Sequence, residues 1–413
     1  MGDEVFYEKA AQQYADQGAG VSVDVESFLG GETYPPQRRA EEADVFYVSS
    51  NFRLDEVEGH WLNLEPLIAA DPDLALDDFY PQVLAAYRRQ GALWALPLAV
   101  DAALLFYNQD LFDAAGIAYP HAGWTWDDFL IAAHQLTQGE GRDQQWGFAA
   151  LADGWETLPL IRAAQQMARP MPLWDAPETP TAPALDTSAV VDSVRWYAAL
   201  SRDESVMPLP PLYTADWVNA YGLIESGRVA MWISPAGVFG RPIEFAVGAT
   251  PLPVTGSPYT SFSTTGNALS AYTPYVQESW DWLVTMTRQP GLMRAFPARR
   301  SLAEAAIFPM YPQETQPALR QAFGTTLAGY ADAWGVDSAP VPWHEVAYRL
   351  YRLAVRESLE HGTDPAETLG AAQTTAQAYV SCLQTHGDPG DAAVAVQCEA
   401  EVGVPPAVVW FED

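Results

Sequence analysis

The stretch from residue 91 to residue 136, GALWALPLAVDAALLFYNQDLFDAAGIAYPHAGWTWDDFLIAAHQL, constrains the fold more than any other part of the chain. Two apolar runs, 92–96 and 102–107, read as strands, the first broken by Pro97 and the second closed by Tyr107 and Asn108. Residues 109–115 then read as a short helix stopped by Gly116, a residue suited to the left-handed conformation beyond a last helical turn. Thr125 stands where a helix cap belongs, and Asp127 and Asp128 follow it where the helix dipole favours negative charge.

The same alternation of elements runs along the rest of the chain. Residues 4–16 read as a helix, with Val5, Phe6, Ala10 and Tyr14 on or near one face. Val21, Val23 and Val25 alternate with Ser22 and Asp24 as in a strand, residues 30–42 read as a loop, and 44–48 form a strand ending in Ser49, Ser50 and Asn51. A further strand is expected at 146–150, and helices at 157–167, 188–201, 215–226, 278–288, 343–360 and 365–383. Helix-strand alternation of this kind means a parallel sheet with crossover helices, an α/β fold.

At 413 residues the chain is too long for one ordinary core, so two lobes are expected. Its net charge of −32, from 53 acids against 21 Lys and Arg, excludes nucleic acid and anionic membranes as partners, because both need basic surface. No apolar run reaches the roughly 18 residues of a membrane span, and the first residues show no basic-then-apolar signal peptide. Enzyme signatures are missing as well. His60, His121, His134, His344, His361 and His386 form no HExxH pair, and there is no G-x-S-x-G elbow or phosphate loop. A glycosidase needs two facing carboxylates, and the sequence nominates no such pair. Cys382 and Cys398 lack partners at metal-ligand spacing; buried thiols and a disulfide both fit their separation.

The ordered pieces of 91–136 resemble the hallmark of bacterial family 1 extracellular solute-binding proteins, the maltose-binding-protein-like receptors of ABC importers. The family's G-x-x-Y/W-A-L-P is matched by Gly91 and residues 94–97, and the Asp that follows it by Asp101. Residues 107–112 match Y-N-x-D-L-F, 115–117 match A-G-I, and 126–129 match W-D-x-F/L. Residues 227–231 resemble the family's G-x-x-A-M strand and 297–299 its P-x-R element, while at 265–270 Thr265 replaces the first Gly of a G-G strand. The resemblance implies a two-lobed periplasmic-binding-protein fold of the class II type, its discontinuous lobes joined by crossing strands. One lobe would hold residues 1–105 and 256–298, the other 106–255 and 299–413, with hinges near 103–107, 252–258 and 298–303. Family members begin with one more strand before the first helix. Either this sequence starts after it or another segment takes its place.

The same resemblance implies a monomeric, extracytoplasmic substrate-binding protein, periplasmic or lipid-anchored, that serves ABC importer permease subunits. It implies no catalytic residue, no cofactor and no metal, and it favours a Cys382–Cys398 disulfide. A sensor domain of a signalling protein would use the same cleft, and a carbohydrate hydrolase is the alternative among enzymes.

In open α/β sheets, ligands bind beyond the carboxyl ends of strands. The candidates there are Ser49, Asn51 and Phe52; Asp101; Tyr107 and Asn108; Trp155; Trp232 and Ser234; and Gly266 and Asn267. Arg299 and Trp343 join them from the resemblance. Aromatic faces mixed with amides, hydroxyls and a carboxylate suit a carbohydrate, whose C–H faces stack and whose hydroxyls both donate and accept. Each has a blander reading: packing for Trp155, Trp232 and Trp343, a turn or hinge for Asp101, a hinge for Tyr107 and Asn108, and a salt bridge for Arg299.

Overall fold

A computed structural model describes residues 2–16, 18, 20–26, 36–50, 52, 54–151, 157–176, 180–208, 217–260, 262–289, 295–329, 341–386 and 392–405. Its strands are β1 (Val45–Ser49), β2 (Arg88–Arg89), β3 (Ala92–Leu93), β4 (Leu96–Ala102), β5 (Leu104–Asn108), β6 (Trp146–Ala150), β7 (Val229–Ser234), β8 (Val247–Thr250), β9 (Phe262–Leu269) and β10 (Phe296–Pro297). They form one sheet in the order β1-β9-β4-β10, a second in the order β6-β7-β5-β8, and a small β2-β3 hairpin.

A single residue, Ala103, separates β4 in the first sheet from β5 in the second. The registers show which ends meet there. Ala102, the last residue of β4, pairs with Phe262 at the start of β9, and Ser49, the last of β1, pairs with Thr265. On the far side, Leu104 opens β5 opposite Ser234, the last residue of β7, while Leu105 pairs with Thr250 at the end of β8. The parallel partner β6 ends alongside, with Ala150 next to Ile233. The carboxyl ends of β1 and β4 thus look toward those of β6, β7 and β8 across one line through Ala103.

Alternation assigns the two faces of the second sheet to different cores. Leu105, Tyr107 and Met231 pack with the helices Trp126–Leu136, Thr157–Met167, Ser188–Arg202, His344–His361 and Pro365–His386. Phe106, Trp232 and Ala249 face the other way and share a core with Phe46, Val48, Leu96, Val100 and Phe296 of the first sheet. A third, small cluster joins the helix Gly2–Asp16, through Ala10 and Ala11, to Leu98 and to Trp282 and Met286 of the helix Val276–Thr287.

The local signals of 109–136 are realised as read. Asn108 caps the helix Gln109–Ala115, and Gly116 closes it with φ 67°. Thr125 and Asp128 form a reciprocal capping box. Elsewhere the structure corrects the reading. The expected parallel sheet is not what forms: in both four-stranded sheets the described pairs are antiparallel except β6 with β7, because β4 and β5 run on through Ala103 and pair with strands that run back toward it. Residues 21–26 belong to no strand: Val23 and Val25 pack through their side chains against the cluster of Ala10, Leu98 and Trp282, and no described segment bonds to them in a ladder. Residues 36–42, read as loop, form the helix Pro36–Glu42. Pro97 does not end its strand; it lies within β4 at a register shift, one of the few strand positions where a missing N–H costs no ladder bond. Two long helices went unread, Thr315–Gly329 and Ala392–Val402, as did the short ones Leu54–Val57, Glu65–Ala70, Pro81–Ala85 and Arg300–Ala303. The disulfide Cys382–Cys398 ties the helix Ala392–Val402 to the helix Pro365–His386.

Candidate functional site

Asp101 lies two residues before Ala103 in β4, paired with Ser263. The residue is half-buried, but its Oδ1 is sealed from solvent and has no hydrogen-bond partner among the described residues. Burial pushes its carboxyl up to about 7. Across the line, Ser234 closes β7 opposite Leu104, buried, with its Oγ also unpartnered among the described residues. Two polar side chains withheld from water without partners are costly unless something else satisfies them.

The first-sheet side of the line is held in place by ordinary bonds. Ser50 N–H donates to the Thr264 carbonyl at 3.3 Å, and the Thr264 hydroxyl donates to Ala99 O at 2.8 Å. The turn after β1 is fixed by Arg89. Its guanidinium donates to Ser50 O at 3.2 Å and Phe52 O at 3.5 Å, and lies 4.6 Å from the centre of the Phe52 ring. Burial lowers the Arg89 pKa. Sequence reading missed this residue; nothing in a Tyr-Arg-Arg-Gln run marks one arginine as a turn anchor. Ser49, half-buried at the end of β1, is level with Ala99 two strands away, so of the expected residues Asp101 and Ser234 flank Ala103 directly. Asn51 and Trp155 lie outside the described residues.

The other candidates are employed elsewhere. Tyr107 and Asn108 end β5 at the edge of the second sheet farthest from Ala103, which removes them from both hinge and cleft. Asn108 spends its Oδ1 on the N–H groups of Asp110 and Leu111. Phe52 is buried between Trp61 and Tyr87. Trp232 is 0% exposed, stacked on Phe106 and edge-on to Phe239. Its place in β7 turns it into the core. Trp343 precedes the helix His344–His361 and packs edge-on against Trp174 at 5.0 Å.

Gly266 and Asn267 lie mid-strand in β9, opposite Pro97 and Leu96, not at a strand end. A Cβ on Gly266 would meet Leu96 O at 2.5 Å, so glycine there serves close strand contact. Asn267, 1% exposed, accepts from the Tyr7 hydroxyl at 3.0 Å and ties the helix Gly2–Asp16 to the sheet. Arg299, 4% exposed, donates to Leu74 O at 2.9 Å and Thr287 Oγ1 at 3.0 Å, pairs with Asp78 at 3.5 Å, and covers the Phe79 ring. The salt-bridge reading holds for it. Cys382, His386 and Cys398 come within 4.8 Å of one another, but a disulfide leaves neither sulfur as a thiolate for a metal.

What gathers at the line can accept and donate hydrogen bonds to a neutral hydroxylated molecule. The charged group there, Asp101, would repel an anion once ionised. No helix among the described residues is long and apolar enough to cross a membrane.

Comparison with known proteins agrees with this architecture. The structure resembles the sugar-binding protein MalE of Xanthomonas citri with a TM-score of 0.71 at 16% identity, covering 93% of this chain and 98% of that one. It also resembles an ABC substrate-binding protein of Listeria monocytogenes in complex with cycloalternan, with a TM-score of 0.68 at 17% identity, covering 90% and 94%. In sequence, 100 residues are 40% identical to the mannitol-binding protein of Pseudomonas aeruginosa, a match covering 24% of this chain and 22% of that protein. These neighbours are two-lobed binding proteins, not enzymes. Residues 3–292 match the model of a single family. The chain belongs to the bacterial extracellular solute-binding proteins.

Proposed function

We propose that this chain is the substrate-binding protein of an ABC importer and takes a carbohydrate between its two lobes, closing on it without altering it. The observation that carries this reading is the pair of buried, unpartnered polar groups, Asp101 Oδ1 and Ser234 Oγ, on opposite sides of the crossing at Ala103. A ligand hydroxyl donating to Asp101 and another meeting Ser234 would satisfy both, and only in a closed cleft. Closure is then driven by contacts the open form lacks. The relatives named for mannitol and for a sugar support the ligand class.

On this reading the lobes divide at Ala103 rather than after residue 105, since Leu104 already pairs in the second sheet. The protein works outside the cytoplasm as a monomer, and importer permease subunits receive the closed form. A thermal-shift screen over mono- and oligosaccharides tests the proposal. A bound sugar at a hundred times its Kd stabilises the fold by about 2.7 kcal/mol, and mass spectrometry of the recovered sugar should find it uncut. A cleaved product would favour a hydrolase; a shift with an amino acid or phosphate instead of a sugar would overturn the ligand class.

A further inference from the structure

Between β8 and β9 the chain crosses from the second sheet to the first, and most of this crossing is fastened to one residue. Gln165, in the helix Thr157–Met167, is wholly buried. Its Oε1 accepts from Trp126 Nε1 at 2.9 Å and from Thr255 N at 3.0 Å. Its Nε2 donates to Pro253 O and to Tyr259 O, both at 2.9 Å. A primary amide has two donor hydrogens and two acceptor lone pairs, and all are used. The Gln165 carbonyl also accepts from Ser257 N at 3.3 Å, while Val254 N donates to Trp124 O at 2.8 Å. Beyond Tyr259 the bonding changes direction: the Thr260 hydroxyl reaches Ala103 O, on the first crossing, at 3.5 Å.

We propose that Gln165 is a positioning residue for lobe closure, making residues 253–259 a rigid part of the second lobe and confining the bend of this crossing to Thr260, beside Ala103. The two crossings then share one short axis through Ala103 and Thr260. The pivot expected at 252–258 is thereby displaced, because a segment bonded on both sides to a buried amide cannot absorb a change in backbone angles. Hinges need only a few residues free to turn. The inference rests on the reading of two lobes that close.

Gln165→Met keeps the volume and removes all four side-chain bonds. Trp126→Phe is the control, since it removes the one Gln165 bond that does not reach the crossing. Hydrogen exchange in the free protein should find the amide of Thr255 about a hundredfold less protected in Gln165→Met, with amides of β5 and β7 unchanged. The lobe separation is read by pulsed electron spin resonance between labels at Tyr272→Cys and Ile131→Cys. Both positions are exposed, and the native cysteines are bonded to each other. Gln165→Met should broaden that distance distribution, and Trp126→Phe should leave it as in the parent. Unchanged protection of Thr255, or equal broadening in both variants, would overturn the clamp. Failure of every sugar in the screen to shorten the parent's label distance would instead overturn closure itself.

Discussion

Asp101 carries the most chemistry of any single side chain in the account. Its carboxyl titrates near 7 in the fold, raised by burial, and near 4 in the unfolded chain. Between those values the folded state holds a proton that the unfolded state has released, so stability falls as pH rises from about 4 to about 7. Asp101→Asn should flatten that slope in urea titrations across the window, a difference of up to about 4 kcal/mol at pH 8. A sugar hydroxyl donating to the carboxylate would lower the pKa again, so affinity should rise with pH through 7 in the parent and stay level in the variant. Trp232 and Trp343 go the other way. Both are core residues, so Trp232→Ala and Trp343→Ala should each cost about 3–5 kcal/mol of unfolding free energy while the folded fraction binds sugar as before. The sequence could place Trp232 near the end of a strand, but not on one face of it. One position of alternation decides between cleft and core, and Phe106 across the sheet settled it for core.

Elements were legible where their own ends announce them. The helices Gln109–Ala115 and Trp126–Leu136 carry caps that depend on neighbouring residues only. Elements that depend on distant partners were not. Residues 21–25 alternate as a strand should, yet a strand exists only with a neighbour to bond. The helix Thr315–Gly329 contains Pro317, Gly324 and a weak apolar stripe, and it is held by tertiary contacts. Thr315 Oγ1 donates to Val247 O in the second sheet at 2.8 Å, and Phe323 stacks on Phe296 in the first. The segment expected as a third hinge, 298–303, is anchored before the chain reaches that helix. Ser301 donates to Asp78 through both N–H and hydroxyl, and Arg299 lies beside it. Burial raises the Asp78 pKa, but these bonds and that charge outweigh it and leave it lowered. Arg299→Ala should therefore destabilise by about 3 kcal/mol in denaturant titrations, without a specific effect on ligand affinity. At the C-terminal end, replacing Cys382 and Cys398 with alanine should cost about 3 kcal/mol, read as a lower melting temperature that added reductant no longer changes.

At the scale of the whole molecule, length and one motif-rich stretch were enough to read two α/β lobes, because a chain of 413 residues must divide its core and residues 91–136 carry both sides of the first crossing. The site was legible only as a location. Asp101, Ser49 and Ser234 could be nominated because strand ends are where such folds bind, whereas Arg89, at the turn after β1, and Gln165, beside the crossing between β8 and β9, act through carbonyl groups that no side-chain pattern encodes. What unites the parts, on the proposed function, is a cleft that would narrow about Ala103 when a neutral polyol fills it. Small-angle X-ray scattering of the protein with and without each sugar of the screen tests that most directly. At least one sugar should lower the radius of gyration and also raise the melting temperature. Superimposable curves for every sugar, including any that raises the melting temperature, would contradict closure as the mode of binding.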